Sequence, residues 1–237
     1  MSLRRPSKEQ PENFEFNSTS LEVAKTIITK YPKDKKQSAV MALLYIAQKQ
    51  NSNWIPLAAM KCIGKFLDMP YIKVYEVATF YTMYNLNPVG KYFIQVCTTT
   101  PCMIRGAYKL VEACKEKISE NENELSKDLS CSWIEVECLG ACANAPMVQI
   151  GKDFYEDLTV DKFEKILVDF DNGLIPEPGP QNGRYAAETL AGLTSLHAHE
   201  ANRLDHNASV GLAIELKDTI ERIGSDKKIN SKCSILY

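Results

Sequence analysis

The apolar positions in the first third of the chain repeat with the period of an α-helix. Between residues 19 and 84 they recur every three or four positions, the spacing that places side chains on one helix face. Pro32 ends the first stretch, and Pro56 and Pro70 stand where a first helical turn tolerates proline. The pattern predicts four amphipathic helices packed on one another, the first of them capped by Thr19 and Glu22.

After residue 87 the pattern changes to short β-type runs that alternate with helices. Strands are predicted at 92–96, 133–137, 147–150 and 154–156, and helices at 104–118 and 160–171. The predicted order β-α-β-β-β-α is typical of a thioredoxin-like α/β layer. We therefore predict an α+β chain in two parts, a four-helix bundle followed by a thioredoxin-like domain.

The last part of the chain has no clear period. Between residues 173 and 183, six of eleven residues are glycine or proline, which predicts the end of the compact domain. A short amphipathic helix is predicted at 210–223, within an irregular extension that either wraps a partner or is disordered. The predicted organisation is a polar arm at 1–17, a helical bundle at 18–86, the thioredoxin-like domain at 87–172, and a linker with the C-terminal extension at 173–237.

Composition narrows the class of protein. The 237 residues carry a net charge of −2, with 45% apolar and 24% charged side chains, so no general affinity for nucleic acid is expected. No stretch reaches the length of apolar residues that a membrane-spanning helix needs. The first residues lack the apolar core of a secretory signal, which favours a reducing cytoplasm. Some of the eight cysteines are therefore candidate metal ligands rather than disulfides.

Four of the cysteines are grouped in two short loops. Cys97 and Cys102 form a C-x4-C pair, Cys138 and Cys142 form a C-x3-C pair, and each pair follows a predicted strand. Since the ends of neighbouring strands lie together, we expect both pairs at one rim of the sheet. Four thiolates there match the ligands of a [2Fe–2S] cluster, two sulfurs for each iron. Small residues such as Gly140 allow the backbone to approach inorganic sulfide.

Other uses of these thiols are compatible with the spacing. A zinc site with four cysteine ligands is the main alternative, whereas a dithiol oxidoreductase requires the shorter C-x2-C. Cys131, seven residues before Cys138, is the one plausible substitute ligand. Cys102 stands at the start of the helix predicted at 104–118, whose positive end favours a thiolate. Pro146, directly before a strand, is a candidate for the cis-proline of thioredoxin-like folds.

Five stretches of sequence resemble one family, the 24 kDa [2Fe–2S] subunit of respiratory complex I, which includes the E-type subunit of bacterial NADH-quinone oxidoreductase and the NADH dehydrogenase flavoprotein 2 proteins. The resemblance is carried by residues 74–85, 88–92, 95–103, 134–150 and 155–159. It extends over roughly residues 12–185 and is strongest toward the alphaproteobacterial and mitochondrial branch. After about residue 196 the chain departs from the family.

The resemblance implies an electron-transfer subunit. In the family, the four ligands of the [2Fe–2S] cluster fall on Cys97, Cys102, Cys138 and Cys142 of this sequence. The partners are the flavoprotein subunit, which holds FMN and the NADH site, and the adjacent iron–sulfur subunit. The assembly is peripheral on the cytoplasmic face of the bacterial membrane or, in mitochondria, on the matrix side. No catalytic residue is expected on this chain, which exchanges single electrons with the flavin during NADH oxidation.

Two alternative functions stay open on the sequence. One is the diaphorase-type [2Fe–2S] subunit of an NAD-linked hydrogenase or formate dehydrogenase, and the other is a zinc-stabilised interaction module. If the cluster is present, Arg105 is the nearest expected cation and should raise its reduction potential, whereas Glu135 and Glu137 should lower it if they lie close.

Overall fold

The computed structural model describes residues 4–216 and divides the chain into two compact units, with the change between Val89 and Gly90. Each unit has its own hydrophobic core. The first unit contains all four predicted helices: α1 (Ser18–Ile28), α2 (Val40–Gln50), α3 (Leu57–Leu67) and α4 (Tyr71–Phe80). Their apolar faces share one core, in which Leu43, Met60, Ile63 and Val74 are fully buried.

The first helix begins differently from the prediction. Asn17, not Thr19, caps α1, since its side-chain oxygen accepts a hydrogen bond of 2.8 Å from the backbone N–H of Ser20. Thr19 lies inside the first turn. The predicted cap was wrong because asparagine has the same capping chemistry and precedes the threonine by two residues.

The second unit is built on a five-stranded sheet. The strands are β1 (Tyr92–Cys97), β2 (Cys131–Val136), β3 (Val148–Ile150), β4 (Asp153–Glu156) and β5 (Gly179–Pro180). They are arranged in the order β2-β1-β3-β4-β5. The β1–β2 and β4–β5 pairs are parallel, whereas β1–β3 and β3–β4 are antiparallel. Helices α5 (Thr100–Ile104), α6 (Ala107–Lys117), α7 (Val160–Asp171) and α8 (Ala208–Leu216) complete the unit.

Successive side chains of β1 point to opposite faces of the sheet, and this separates the main core from the region of the cysteines. Tyr92, Ile94 and Val96 belong to the large apolar cluster formed with α6 and α7. Cys97 has the opposite parity and belongs to a smaller cluster with Cys102, Ala107, Ala145 and Met147. The sheet therefore holds the first cysteine of the sequence motif away from the main core.

The structure changes two of the predicted elements and describes a third only in part. The helix predicted at 104–118 is two helices, α5 and α6, because Gly106 adopts a left-handed conformation between them (φ +99°). The compact unit continues beyond residue 172, since β5 adds a fifth strand that is too short to show a period of two. The helix predicted at 210–223 is observed as α8, and the rest of that range lies outside the described residues.

Candidate metal centre

The first cysteine pair lies where β1 ends and α5 begins. Cys97 is the last residue of β1 and Cys102 lies inside α5, and the two residues are only 2% and 1% exposed. The hydroxyl of Thr99 is 3.4 Å from Cys97 Sγ. The thiols of Cys97 and Cys102 lie near enough to change each other's pKa. The chain reversal between strand and helix thus brings the C-x4-C pair together.

The second pair lies in the connection from β2 to β3. Cys138 and Cys142 are both exposed, and their sulfurs are 3.4 Å apart. Gly140, in the left-handed region at φ +87°, directs its backbone N–H to Cys138 Sγ at 3.4 Å. A short 3-10 turn, Cys142–Asn144, follows, and the peptide bond from Ala145 to Pro146 is cis.

The parallel pairing of β1 with β2 brings the two cysteine loops to the same end of the sheet. Cys97 is aligned with Val136, two residues before Cys138. The surroundings of Cys138 include both Thr99 and Cys97, so the two pairs interact. Cys131 is aligned with Tyr92 at the opposite end of the strands, roughly 16 Å away along β2. It is buried in the main core, which makes it unsuitable as a substitute ligand.

The pKa values of the first pair are set by burial and hydrogen bonding. Burial raises the pKa of Cys97, but hydrogen bonds from the Thr99 hydroxyl and from backbone N–H groups outweigh this, so the pKa lies below its ordinary value. Burial raises the pKa of Cys102 to about 12, and the neighbouring Cys97 adds to the effect. The position of Cys102 in the first turn of α5 was expected to favour its thiolate, but burial and the Cys97 thiol outweigh that effect.

The two thiols of the second pair have pKa values shifted in opposite directions. The backbone N–H of Gly140 and the thiol of Cys142 lower the pKa of Cys138. The same contact raises the pKa of Cys142, because a second thiolate next to the first is disfavoured. Each pair consequently has one thiol that ionises readily and one that does not, and a bound cation is the simplest way to ionise all four.

The residues around the sulfurs fit an iron–sulfur cluster. The backbone N–H of Gly140 hydrogen-bonds to Cys138 Sγ, and the backbone groups of Thr99, Leu139 and Met147 lower the pKa of the nearby cysteines, so the surroundings favour thiolate ligands. A Cβ atom on Gly140 would meet nothing within 4 Å, so the loop is open at this residue. Within residues 4–216, no three cysteine, histidine, aspartate or glutamate side chains are grouped to hold one metal ion.

The second pair is surrounded by Arg105, which the sequence singled out, and by further residues that it did not. Arg105 and Leu190 line the cleft that contains Cys142, and so do the buried partners Asp157 and Arg184. The exposed Arg105 is thus near the second pair, in line with the expected cation. Glu135, by contrast, lies close enough to Glu122 to raise the pKa of that carboxyl, whose burial is the larger cause. No local spacing in the sequence marks Asp157 or Arg184, which are 27 residues apart.

The fold and the two cysteine pairs define the class of thioredoxin-like [2Fe–2S] ferredoxins. The sequence profile of that class, "Thioredoxin-like [2Fe-2S] ferredoxin", matches residues 24–171, and so extends over helices of the first unit and nearly all of the sheet of the second. The match ends before β5.

Curated relatives specify the class further. The E-type subunit of NADH-quinone oxidoreductase from Rickettsia bellii is 54% identical over 155 residues, which are 65% of this chain and 93% of the relative. The Rickettsia prowazekii protein of the same name is 50% identical over 159 residues, 67% of this chain and 90% of the relative. The chain belongs to this family, the E-type subunits of NADH-quinone oxidoreductase.

Solved structures share the fold at low sequence identity. Two structures of NAD+-reducing [NiFe]-hydrogenase, in the H2-reduced and air-oxidized states, match with TM-scores of 0.50 and 0.52 and identities of 16% and 14%. The matches cover 58% and 70% of this chain but only 23% and 28% of the hydrogenase chains. They indicate a common fold within a longer protein.

Proposed function

We propose that this chain is the [2Fe–2S] electron-transfer subunit of an NADH-quinone oxidoreductase, with Cys97, Cys102, Cys138 and Cys142 as the cluster ligands. The observation that carries the proposal is the convergence of two cysteine pairs at one end of the sheet in a member of the E-type subunit family. When bound, a [2Fe–2S] cluster accepts and gives up one electron at a time.

The chain's own residues prepare the ligands for this chemistry. The first pair is buried among apolar neighbours, which excludes water from that side. Hydrogen bonds from Thr99 and from backbone N–H groups favour the thiolate of Cys97, and the N–H of Gly140 does the same for Cys138. Donors to sulfur also raise the reduction potential of a cluster, because they stabilise the added electron.

The exposed second pair marks the side from which electrons are exchanged. The relatives are named as subunits of an NADH-quinone oxidoreductase. Ile104 and Leu190 are both 73% exposed, and Leu190 lines the cleft beside Cys142. Apolar side chains in contact with water favour a protein partner. The partner here is the subunit that holds FMN and binds NADH, followed in the assembly by the adjacent iron–sulfur subunit.

We propose that the assembly lies at a membrane. None of the helices within residues 4–216 has the length and apolar character to cross a lipid bilayer. We propose a peripheral position on the cytoplasmic face of a bacterial plasma membrane, in line with the bacterial relatives. The matrix side of a mitochondrial inner membrane is the alternative.

The diaphorase-type subunit of an NAD-linked hydrogenase is a second candidate, since the hydrogenases share the fold. Identity favours the first candidate, because the NADH-quinone oxidoreductase relatives reach 54% identity and the hydrogenases 16%. The identity of the subunits that co-purify with the native chain discriminates between them.

Anaerobic purification with iron and sulfide analysis tests the proposal, followed by EPR spectroscopy after dithionite reduction. We expect about two irons and two sulfides per chain and a signal from the reduced cluster. Serine at any of the four ligand positions should weaken or abolish the signal. Cys131→Ala is the matched control, because Cys131 is a buried cysteine at the far end of β2.

Two results would contradict the proposal. One zinc per chain without sulfide would favour the zinc-stabilised interaction module. Loss of the signal in Cys131→Ala with retention in Cys138→Ser would show that the ligand assignment is wrong. Reduction of the cluster by NADH after mixing with the flavoprotein subunit then tests the electron-transfer role directly.

A further inference from the structure

The turn that carries Cys142 is held by an ion pair from a distant part of the chain. Arg184 Nε donates to Asp157 Oδ2 at 3.1 Å, and its guanidinium also binds the other oxygen of that carboxylate. The same guanidinium donates to the backbone carbonyl of Ala143 at 3.0 Å. The side chains of Arg184 and Asp157 are only 11% and 8% exposed. Arg184 thus joins the residue next to Cys142 to the end of β4.

A second set of hydrogen bonds holds the same turn through Asn144, whose residue is 2% exposed. Its side-chain amide donates to Glu156 Oε2 at 2.6 Å and to the carbonyl of Ala186 at 3.0 Å. Its backbone carbonyl accepts from the N–H of Asp157 at 2.7 Å. Two adjacent residues of the turn are therefore bound both to the end of β4 and to the segment after β5.

The backbone at Asp157 gives independent support. Asp157 has a φ of +52°, in the left-handed region that costs a non-glycine residue free energy. This conformation allows its N–H to reach Asn144 while its carboxylate receives Arg184. A conformation of this kind persists where surrounding contacts over-determine it, as they do here.

The segment that supplies Arg184 is itself anchored. Arg184 donates to the carbonyl of Glu188 at 2.7 Å, and Glu188 forms an ion pair with Arg203. The guanidinium of Arg203 lies 3.9 Å from the ring centroid of Tyr185, whose carbonyl accepts a hydrogen bond from Asn207. These contacts fix the approach of Arg184 to the turn, although residues 184–188 themselves have no regular secondary structure.

We propose that residues 184–186 are a positioning element for the second cysteine pair, with Arg184 and Asp157 as its main positioning residues. The inference rests on the proposed function, because it assigns to the C-terminal extension the task of holding Cys142 in a ligand position. The Arg184–Asp157 pair acts through the backbone of Ala143 and Asn144 and not by contact with sulfur. Replacing a residue that orients a metal ligand without touching the metal commonly weakens metal affinity by about ten- to hundredfold.

Three variants of the full-length protein test the proposal. Arg184→Ala removes the pair, and Arg184→Lys keeps the charge but not the planar fork that serves Asp157 and Ala143 together. The double variant Arg184→Met/Asp157→Asn leaves no buried charge alone, so it tests the proposal even if Arg184→Ala does not fold. Lys117→Ala is the matched control, since it removes an exposed ion pair with Glu164 in the same unit.

Two measurements separate this inference from the proposed function. Amide hydrogen exchange, measured with or without the cluster, should be about tenfold faster at Asn144 and Asp157 in Arg184→Ala and unchanged in β1. Iron release to a chelator should be about ten- to hundredfold faster, with a changed EPR line shape, and Arg184→Lys should lie between. Lys117→Ala should match the parent protein in both.

Unchanged exchange at Asn144 and Asp157 in both the alanine and the double variant would overturn the inference. So would faster exchange that leaves iron release and the EPR spectrum of the loaded protein unchanged. If the parent protein binds no iron, the proposed function fails, whereas hydrogen exchange still decides whether Arg184 holds the turn.

Discussion

The two cysteine pairs lie at the same end of one sheet but are held by different means. Cys97 and Cys102 are buried, and strand β1 and helix α5 determine their positions. Cys138 and Cys142 are exposed in a loop and a short 3-10 turn. The first pair depends on local secondary structure and burial, and the second depends on contacts from β4 and from residues far along the chain. The difference shows that four identical ligand residues can be held in place by different kinds of contact.

The largest expected difference between the pairs is the reactivity of their thiols in the metal-free protein. At pH 8 a thiol with a pKa of about 12 is ionised in only about one molecule in ten thousand, which applies to Cys102. Cys138 is exposed, and its pKa lies below the ordinary 9.0. Although a thiolate of lower pKa is a weaker nucleophile, alkylation of Cys138 should be at least about a hundredfold faster.

Alkylation followed by mass spectrometry at several pH values measures this contrast. Between pH 8 and 11 the rate at Cys102 should rise about tenfold per pH unit, because its thiolate form grows throughout that range. The rate at Cys138 should level off at a lower pH than the rate at Cys102, because its pKa is lowered whereas that of Cys102 is raised. Cys97 is the internal comparison, since it is as buried as Cys102 but its pKa is lowered. Equal rates at Cys138 and Cys102 would contradict the assigned environments.

A smaller effect is expected from Gly140→Ala in the loop of the second pair. Gly140 has φ +87°, where a Cβ atom costs about 1 kcal/mol even though space is available. We expect the free energy of unfolding to fall by about that amount and the alkylation of Cys138 to slow, because the strained N–H turns away from the sulfur. Denaturant unfolding and the alkylation assay measure the two effects.

Gly106→Ala is the control for that prediction, since Gly106 has φ +99° and equally open surroundings. Its N–H donates to the carbonyl of Met103 and not to sulfur. It should lose similar stability with no change at Cys138. If both variants slow alkylation equally, the effect comes from general loosening of the unit and not from the bond to Cys138.

The smallest expected effect concerns the reduction potential of the loaded protein. Thr99→Val removes the hydroxyl 3.4 Å from Cys97 Sγ, and a hydrogen bond worth about 1 kcal/mol corresponds to about 40 mV for one electron. The potential should therefore fall by tens of millivolts in an EPR-monitored redox titration. Arg105→Ala, at the exposed pair, should lower it by less, because water screens that charge. A larger fall in the reduction potential in Arg105→Ala than in Thr99→Val would contradict this prediction.

Much of the fold could be predicted from local pattern. The four helices of the first unit followed from apolar spacing, and the strands before Cys97 and Cys138 followed from short β-type runs. These features are set by neighbouring residues, so a single sequence carries them. The cap at Asn17 and the break at Gly106 were missed because several nearby residues had suitable chemistry and only the folded backbone selects among them.

The amino-acid sequence alone was sufficient for the helices, the main strands and the four candidate ligands, because periodicity and cysteine spacing depend on residues close together in the chain. The tertiary structure was needed to find β5, the high pKa of Cys102 and the hold of Arg184 on the turn at Cys142. Burial and contacts across 27 or 41 residues have no period and no motif. They exist only once the sheet has brought distant segments together.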